Sequence, residues 1–237
     1  MLRKLCVIAA AAALVAAPLP SLAQGKKDSV VMGMTLEPPG LDPTNAAAAA
    51  IAEVTLYNVY ETLTKINEDG SVSPLLAESW QASPDLKTYT FKLRKGIKFH
   101  NGEPFDSAAV KFSFDRAAAP TSTNKDKSLY QAFASVTAPD PETVVVALKY
   151  SEPNLPFLLG QATGSIVEPK SAPTDATQPV GTGPYTLGSW AKGSSITLVK
   201  WPDYRNAAAI KLAKVTIRFI GDPAAQVAAL LSGDVDA

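Results

Sequence analysis

The stretch that decides the fold is Lys87-Thr-Tyr-Thr-Phe-Lys-Leu-Arg-Lys-Gly-Ile-Lys-Phe-His-Asn-Gly-Glu-Pro-Phe105. From Thr88 to Arg94 polarity alternates strictly. Tyr89, Phe91 and Leu93 share one face, and Thr88, Thr90, Lys92 and Arg94 share the other. A period of two predicts a strand with one buried and one wet face. Gly96 breaks that strand, and Asn101-Gly102 supplies a pair that tolerates positive φ in a tight turn. Past Pro104 the period becomes helical. Val110, Phe114, Ala117 and Ala118 stand at i, i+4, i+7 and i+8, with Asp106 or Ser107 placed to cap the start. The pattern alone describes the strand–turn–helix core of an α/β domain.

Upstream, residues 30–34 read as a short strand. Glu37-Pro-Pro-Gly-Leu-Asp-Pro43 follows, and three prolines and a glycine in seven residues preclude regular structure, so it is a constrained loop. Residues 46–60 read as a helix with Ala52, Leu56, Val59 and Tyr60 on one face; the alanine run at its start is helix-favouring. Residues 62–66 and 71–75 flank Asp69-Gly70 as a hairpin. Downstream, the polar stretch 120–127 is the expected mobile loop. Strands are expected at 133–137 and 143–148, separated by Pro139-Asp140-Pro141. A short helix is expected at 154–160, a short strand at 165–167, and a connecting segment at 171–179. Gly181-Thr-Gly-Pro-Tyr185 leads into Leu187 and Trp190, then into the strand 195–200. Val215, Ile217 and Phe219 alternate with Thr216 and Arg218 as a further strand. Asp222 caps a closing helix with Pro223 at its first position, Ala224, Val227, Ala228 and Leu231 line one face, and Gly233 ends it. No repeat recurs at a fixed period.

The 237 residues suffice for one good core or two smaller ones. Twenty-two basic and 22 acidic residues balance, so no basic surface argues for nucleic acid or an anionic membrane. Arg3 and Lys4 precede an apolar run over 5–17, and Ser21-Leu22-Ala23 offers small residues for cleavage. This is the pattern of a secretory signal peptide over residues 1–23, with cutting expected after Ala23. The run is too short to span a bilayer comfortably. The one cysteine, Cys6, lies inside this leader and too early for a lipoprotein site. The mature chain is therefore expected to lack disulfides, thiolate chemistry and cysteine metal sites.

Enzyme chemistry finds little purchase. His100 is the sole histidine, held between Phe99 and Asn101 in a turn. A serine–histidine–aspartate arrangement is open to the composition, but no Gly-x-Ser-x-Gly elbow accompanies it. One histidine and no mature cysteine leave only carboxylates for a metal. Gly181-x-Gly183 lacks the Gly-Lys-Ser/Thr ending of a phosphate loop. Asp234 and Asp236 are better read as solvated than as an acid–base pair.

Leu76-Ala-Glu-Ser-Trp80, Thr88–Arg94 and Gly96–Pro104 closely resemble the signature region of the family 5 extracytoplasmic solute-binding proteins, the dipeptide, oligopeptide and nickel receptors of ABC importers. Gly181–Tyr185, Pro202-Asp203-Tyr204 and Ser232-Gly233-Asp234-Val235-Asp236 resemble the same family, whose core match is placed at 72–237. The chain departs from it in three places. Ala109 stands where an acidic residue often closes a capping box, at a cost of ~1 kcal/mol. Trp201 replaces asparagine and Arg205-Asn206 replaces tryptophan-glycine, changes read as touching a surface turn.

The resemblance implies an α/β type II periplasmic-binding-protein (clamshell) fold. Residues 30–60 and 180–237 would form a discontinuous first lobe, residues 61–179 an inserted subdomain, and the second lobe would lie beyond residue 237. It further implies a periplasmic, non-enzymatic monomer without cofactor or metal, which captures peptides or related small solutes for an ABC permease in the inner membrane. In that family the loop after the first strand lies at the mouth of the ligand cleft, which points to Thr35, Leu36, Glu37, Pro38, Gly40 and Leu41. The second segment is Gly181, Thr182, Gly183 and Tyr185, where Gly181 and Gly183 would absorb backbone rotation at a hinge or form an ordinary tight turn. A secreted hydrolase using serine and His100, or a truncated fragment without function of its own, are the competing readings.

Overall fold

The computed structural model describes residues 27–44 and 48–237; the leader over 1–23, and Ala46 and Ala47 of the expected helix, lie outside them. Two four-stranded sheets and a small hairpin carry the chain. The first sheet joins its two ends. Strand β1 (Ser29–Met34) pairs in parallel with β10 (Lys214–Phe219), from Ser29 opposite Lys214 to Met34 opposite Phe219. Antiparallel neighbours β9 (Ser195–Lys200) and β8 (Tyr185–Ala191) complete the order β1-β10-β9-β8. The strand begun at residue 29 therefore exists only because the chain after residue 185 returns to it.

The second sheet has the order β4-β5-β7-β6, all antiparallel: β4 (Ala77–Ala82), β5 (Thr88–Leu93), β6 (Phe133–Asp140) and β7 (Thr143–Leu148). The alternation over 88–94 is realised as read. Tyr89, Phe91 and Leu93 are at most 2% exposed while Lys92 is exposed, so burial selects one face of β5. Gly96 and Gly102 both take positive φ (71° and 86°), the conformations for which the turn needs glycine. Helix α2 (Ser107–Ala118) then packs Val110, Phe114 and Ala117 into the same core. Asp106 is its cap, accepting from the amides of Ala108 and Ala109 at 2.9 and 3.1 Å. Phe114, Tyr130 and Phe133 meet ring to ring at 5.5–5.7 Å, seating α3 (Lys127–Gln131) beside the sheet.

Several expectations are corrected. The helix expected over 46–60 is only α1 (Ala49–Thr55). Thr55 turns its hydroxyl back on the Ile51 carbonyl at 2.7 Å, and the amides of Asn58, Val59 and Tyr60 all converge on the Thr55 carbonyl. Tyr57 then enters the left-handed region at φ 58°, which stops the helix. Its hydroxyl accepts from the Ile66 amide at 3.0 Å and donates to the Gly160 carbonyl at 2.8 Å, and that anchoring holds the conformation. The hairpin is β2 (Thr64–Ile66) with β3 (Val72–Pro74), turning at Gly70 with φ 80°.

The polar stretch 120–127, expected to be mobile, is tied down by buried Asn124, whose amide group donates to the Thr163 carbonyl at 3.2 Å. Strand β6 runs three residues past its expected end, because an edge strand tolerates Pro139 where a central one would lose a ladder bond. Residues 165–167 are extended and buried but join no sheet: Ile166 donates to the Glu61 carbonyl and Val167 to the Ser113 hydroxyl. The expected helix at 154–160 is one turn, α4 (Leu155–Leu158). Helix α5 (Pro223–Ser232) has the cap and stop that were read, with Asp222 accepting from Ala225 and Gly233 at φ 79°. Its apolar stripe faces outward, however: Val227 is 58% and Leu231 83% exposed, and Ala229 is the residue turned inward.

Apolar side chains gather in two clusters. One lies between α2 and the β4–β7 sheet, and the other lies between the β1–β10 sheet and the end of α1. Phe91 is fully enclosed at the centre of the first. Phe91→Ala is expected to cost roughly 3–5 kcal/mol in urea unfolding, and Lys92→Ala, one residue on and outward, within about 0.5 kcal/mol.

Candidate functional site

The loop after β1 is fastened at both ends and in the middle. Glu37 accepts from the Trp190 indole N–H at 2.8 Å and from the Gly193 amide at 2.9 Å, so both carboxylate oxygens are engaged by the β8–β9 hairpin. The Thr35 hydroxyl accepts from Gln226 of α5 at 3.0 Å. Pro38 and Leu41 are buried, the Leu41 amide donates to the Ala176 carbonyl at 2.9 Å, and Gly40 lies flat against Ala176. Just beyond, buried Asp42 takes both terminal nitrogens of Arg116 from α2, one at 3.0 Å to Oδ1, and caps the Thr44 amide at 3.0 Å. Thr35, Leu36 and Pro39 stay open, and Leu36, 68% exposed, is the large apolar side chain among them. Thr35, Leu36 and Glu37 line one side of a concavity of about 300 Å³; Ala48, Ala49, Ala50 and Glu53 line the other. A fixed loop with a bare leucine facing a wall of small residues and one carboxylate suits a partly apolar solute.

The second segment is built into the junction between the two clusters. Gly181 and Gly183 both have ordinary φ, yet a Cβ on either would collide with the carbonyl oxygen of Val59 or Asn58. Glycine is needed there because backbone touches backbone: the Gly183 amide donates to Val59 and the Tyr185 amide to Asn58, each at 2.9 Å. His100 closes the other side. Its amide donates to the Gly181 carbonyl at 2.9 Å, Nδ1 accepts from the Gly181 amide at 3.2 Å, and Nε2 donates to the Gly183 carbonyl at 2.9 Å. That network assigns the neutral Nε2–H tautomer, and burial holds the imidazole below its ordinary value. With both ring nitrogens on backbone, none is left for a serine. Tyr185 is buried with its hydroxyl on the Leu212 carbonyl at 3.1 Å. The sequence-derived candidates thus separate: Thr35, Leu36 and Glu37 face one concavity, while Gly181, Thr182, Gly183 and Tyr185 sit in the junction.

Glu61 is the residue sequence reasoning missed. It is 2% exposed in side chain and receives both terminal nitrogens of Arg205 at 2.6 and 2.7 Å, the Tyr204 hydroxyl at 3.0 Å and the Thr182 hydroxyl at 2.9 Å. Arg205 was read as part of a surface turn, and that reading is corrected: its guanidinium neutralises a buried carboxylate, and the guanidinium lies over the Tyr204 ring at 4.8 Å. Trp201, read the same way, is 8% exposed and stands edge-on to His100 at 4.8 Å. Partners 144 residues apart leave no local signal. The local hint is an acid directly after Val59 and Tyr60, the end of the apolar face read over 46–60.

Asp175 is also fully buried. Its Oδ1 accepts from the Val180 amide and the Ser171 hydroxyl, both at 3.2 Å, while among the described residues neither Oδ2 nor the nearby Tyr60 hydroxyl has a hydrogen-bond partner. Desolvation, then the nearby Asp42 charge, push its carboxyl up to about 6 against the pull of the Val180 amide. Among the described residues, no group of three or more histidine, cysteine or acidic side chains is placed to hold a metal ion, and no helix is long and apolar enough to cross a membrane. A further concavity, about 660 Å³, lies along the β2–β3 hairpin beside Tyr57, lined by Lys65, Asn67, Glu68 and Asp69 and by none of the candidate residues.

Two outcomes follow for this junction. Arg205→Ala is expected to cost roughly 3–5 kcal/mol in chemical denaturation, because it strands a buried charge. Asp175 binds its proton more tightly folded than unfolded. Its contribution is therefore fully present below pH about 4 and lost as pH rises through about 6. Asp175→Asn should remove that loss and raise stability above pH 6 by up to ~3 kcal/mol, read as thermal midpoints across pH.

Comparison with known proteins places this architecture. The model of the bacterial extracellular solute-binding proteins, family 5, matches residues 71–237. The glutathione-binding protein GsiB of Escherichia coli O1:K1 is 33% identical over 198 residues, covering 82% of this chain and 38% of the relative. GsiB of Shigella dysenteriae is 32% identical over 225 residues, covering 93% and 44%. The chain thus spans less than half the length of the curated relatives it matches. Among solved structures, AgaA of A. tumefaciens R10 in complex with agropinic acid superposes with a TM-score of 0.82 at 32% identity, over 87% of this chain and 43% of that one. OppA of Haemophilus influenzae in complex with the peptide RPPGFSPFR gives 0.82 at 26% identity, over 89% and 45%. The returning strand β10, the anchored loop after β1 and the glycine-packed junction are built on a chain that belongs to the family 5 bacterial extracellular solute-binding proteins.

Proposed function

We propose that this chain supplies the first lobe (residues 30–60 and 180–237) and an inserted subdomain (residues 61–179) of a periplasmic receptor. The receptor captures peptides or related small solutes and delivers them to an ABC permease in the inner membrane, working as a monomer. The observation that carries the reading is the loop 35–41. It is held rigid through Glu37, Thr35 and Leu41, yet leaves Leu36 bare beside an open concavity. Preorganisation of this kind spares the ordering cost of binding. Family membership supports the solute class: GsiB is named for glutathione, and the OppA neighbour is in complex with a peptide. Export through a leader cut after Ala23 agrees with a mature chain free of cysteine.

In this reading Glu37 acts by position. Its carboxylate is spent on the β8–β9 hairpin, so the acid left to meet a ligand ammonium is Glu53, which is exposed on the opposite wall. A second lobe closing over this surface would supply the remaining contacts. Isothermal titration with glutathione and with short peptides tests the reading. Leu36→Asp is expected to weaken the preferred solute at least ~10-fold, about 1.4 kcal/mol, with an unchanged unfolding midpoint. Equal affinity in variant and parent would remove the concavity from the binding path.

A further inference from the structure

A second cavity, of about 320 Å³, opens between the turn after β5 and the segment after β9, and it is lined by Gly96, Ile97, Lys98, Thr182, Trp201, Asp203 and Arg205. We propose that it is a binding site for a small zwitterion of the α-amino-acid type, with the carboxylate on Lys98 and the Trp201 indole N–H and the ammonium on Asp203. This goes beyond the solute site at Leu36 and does not rest on it.

Charge and geometry carry the argument. Lys98 and Asp203 are exposed, face one cavity, and are joined neither to each other nor to any other side chain among the described residues. Arg205 brings no free charge, because Glu61 holds it in a two-point pair. The lining is therefore one cation and one anion, net zero, which favours a molecule carrying both charges over a simple anion or cation. Trp201 provides an apolar floor, being 8% exposed and braced edge-on by neutral His100, and its indole N–H has no partner among the described residues. Thr182 is unavailable as a competing donor, since its hydroxyl is committed to Glu61. The floor is anchored in its backbone by the Trp201 amide, which donates to the Pro184 carbonyl at 2.8 Å, and in its ring by the His100 contact. A site of this size and rigidity holds a free amino acid with room to spare.

The test follows the Trp201 indole ¹H–¹⁵N resonance, assigned with Trp201→Phe, while the protein is titrated with L-leucine, L-leucinamide and N-acetyl-L-leucine. L-leucine is expected to shift it with a dissociation constant of about 1 mM or tighter, and each one-charge derivative to bind at least ~10-fold more weakly. Lys98→Gln should weaken L-leucine and N-acetyl-L-leucine and leave L-leucinamide unchanged. Asp203→Asn should weaken L-leucine and L-leucinamide and leave N-acetyl-L-leucine unchanged. No shift with L-leucine up to ~10 mM, or equal shifts with all three probes, would overturn the proposal. Leu36→Asp serves as the control: a shift abolished by that variant would assign the effect to the other concavity and overturn it as well.

Discussion

A carboxylate removed from water costs free energy unless its oxygens are met, and both oxygens of Glu61 are met. Two guanidinium nitrogens, a phenol and a threonine hydroxyl converge on it from three residues in two segments of the second half of the chain. That convergence fixes the start of the hairpin β2–β3, the segment 181–185 and the turn after β9 at one point. Next to it, two glycines let backbone lie on backbone at Asn58 and Val59, and His100 bridges the same segment from the far side. Without that joint, β8 would have no fixed origin, and the sheet that receives β1 would have no fixed order. The junction is polar where the two apolar clusters are not, so its worth lies more in specifying one arrangement than in net stabilisation.

Elements governed by neighbours within a turn or two were readable from the sequence. The alternation over 88–94, the Asp106 cap and the left-handed stop at Gly233 all express local sterics and local burial, and each stands where its residues placed it. Elements decided by distant partners were not readable. Helix α1 ends at Thr55 because Tyr57 is claimed by Gly160 and Ile66, a contact spanning 103 residues. Residues 165–167 have strand-like composition but find a glutamate carbonyl and a serine hydroxyl in place of a ladder. Arg205 looked like a turn residue because its acid lies 144 positions earlier. The outward stripe of α5 shows the converse limit: periodicity locates an apolar face and says nothing of what lies against it.

The same division holds for the candidate site. Residues 35–41 were legible as a stiff loop from their prolines, but what fastens the loop, a carboxylate spent on an indole and an amide across the sheet, is a tertiary fact. Glu37 invites assignment as a ligand contact. Its geometry makes it a strut: both carboxylate oxygens are engaged by the β8–β9 hairpin, and Leu36 beside it stays bare. Asp42 repeats the device one turn later by binding the loop to α2 through Arg116, so the loop answers to both apolar clusters at once.

Strand β6 is an outer strand of its sheet, and it carries Pro139 with Asp140 in its last two positions. A missing amide and a charge at that margin deny a neighbouring molecule the continuous row of donors and acceptors that cross-strand adhesion requires. Any chain meets that hazard while it folds, before it meets a ligand. The two residues that interrupt the ladder thus shield the chain during its passage to the folded state, at the cost of a bond or two that the finished sheet does not miss.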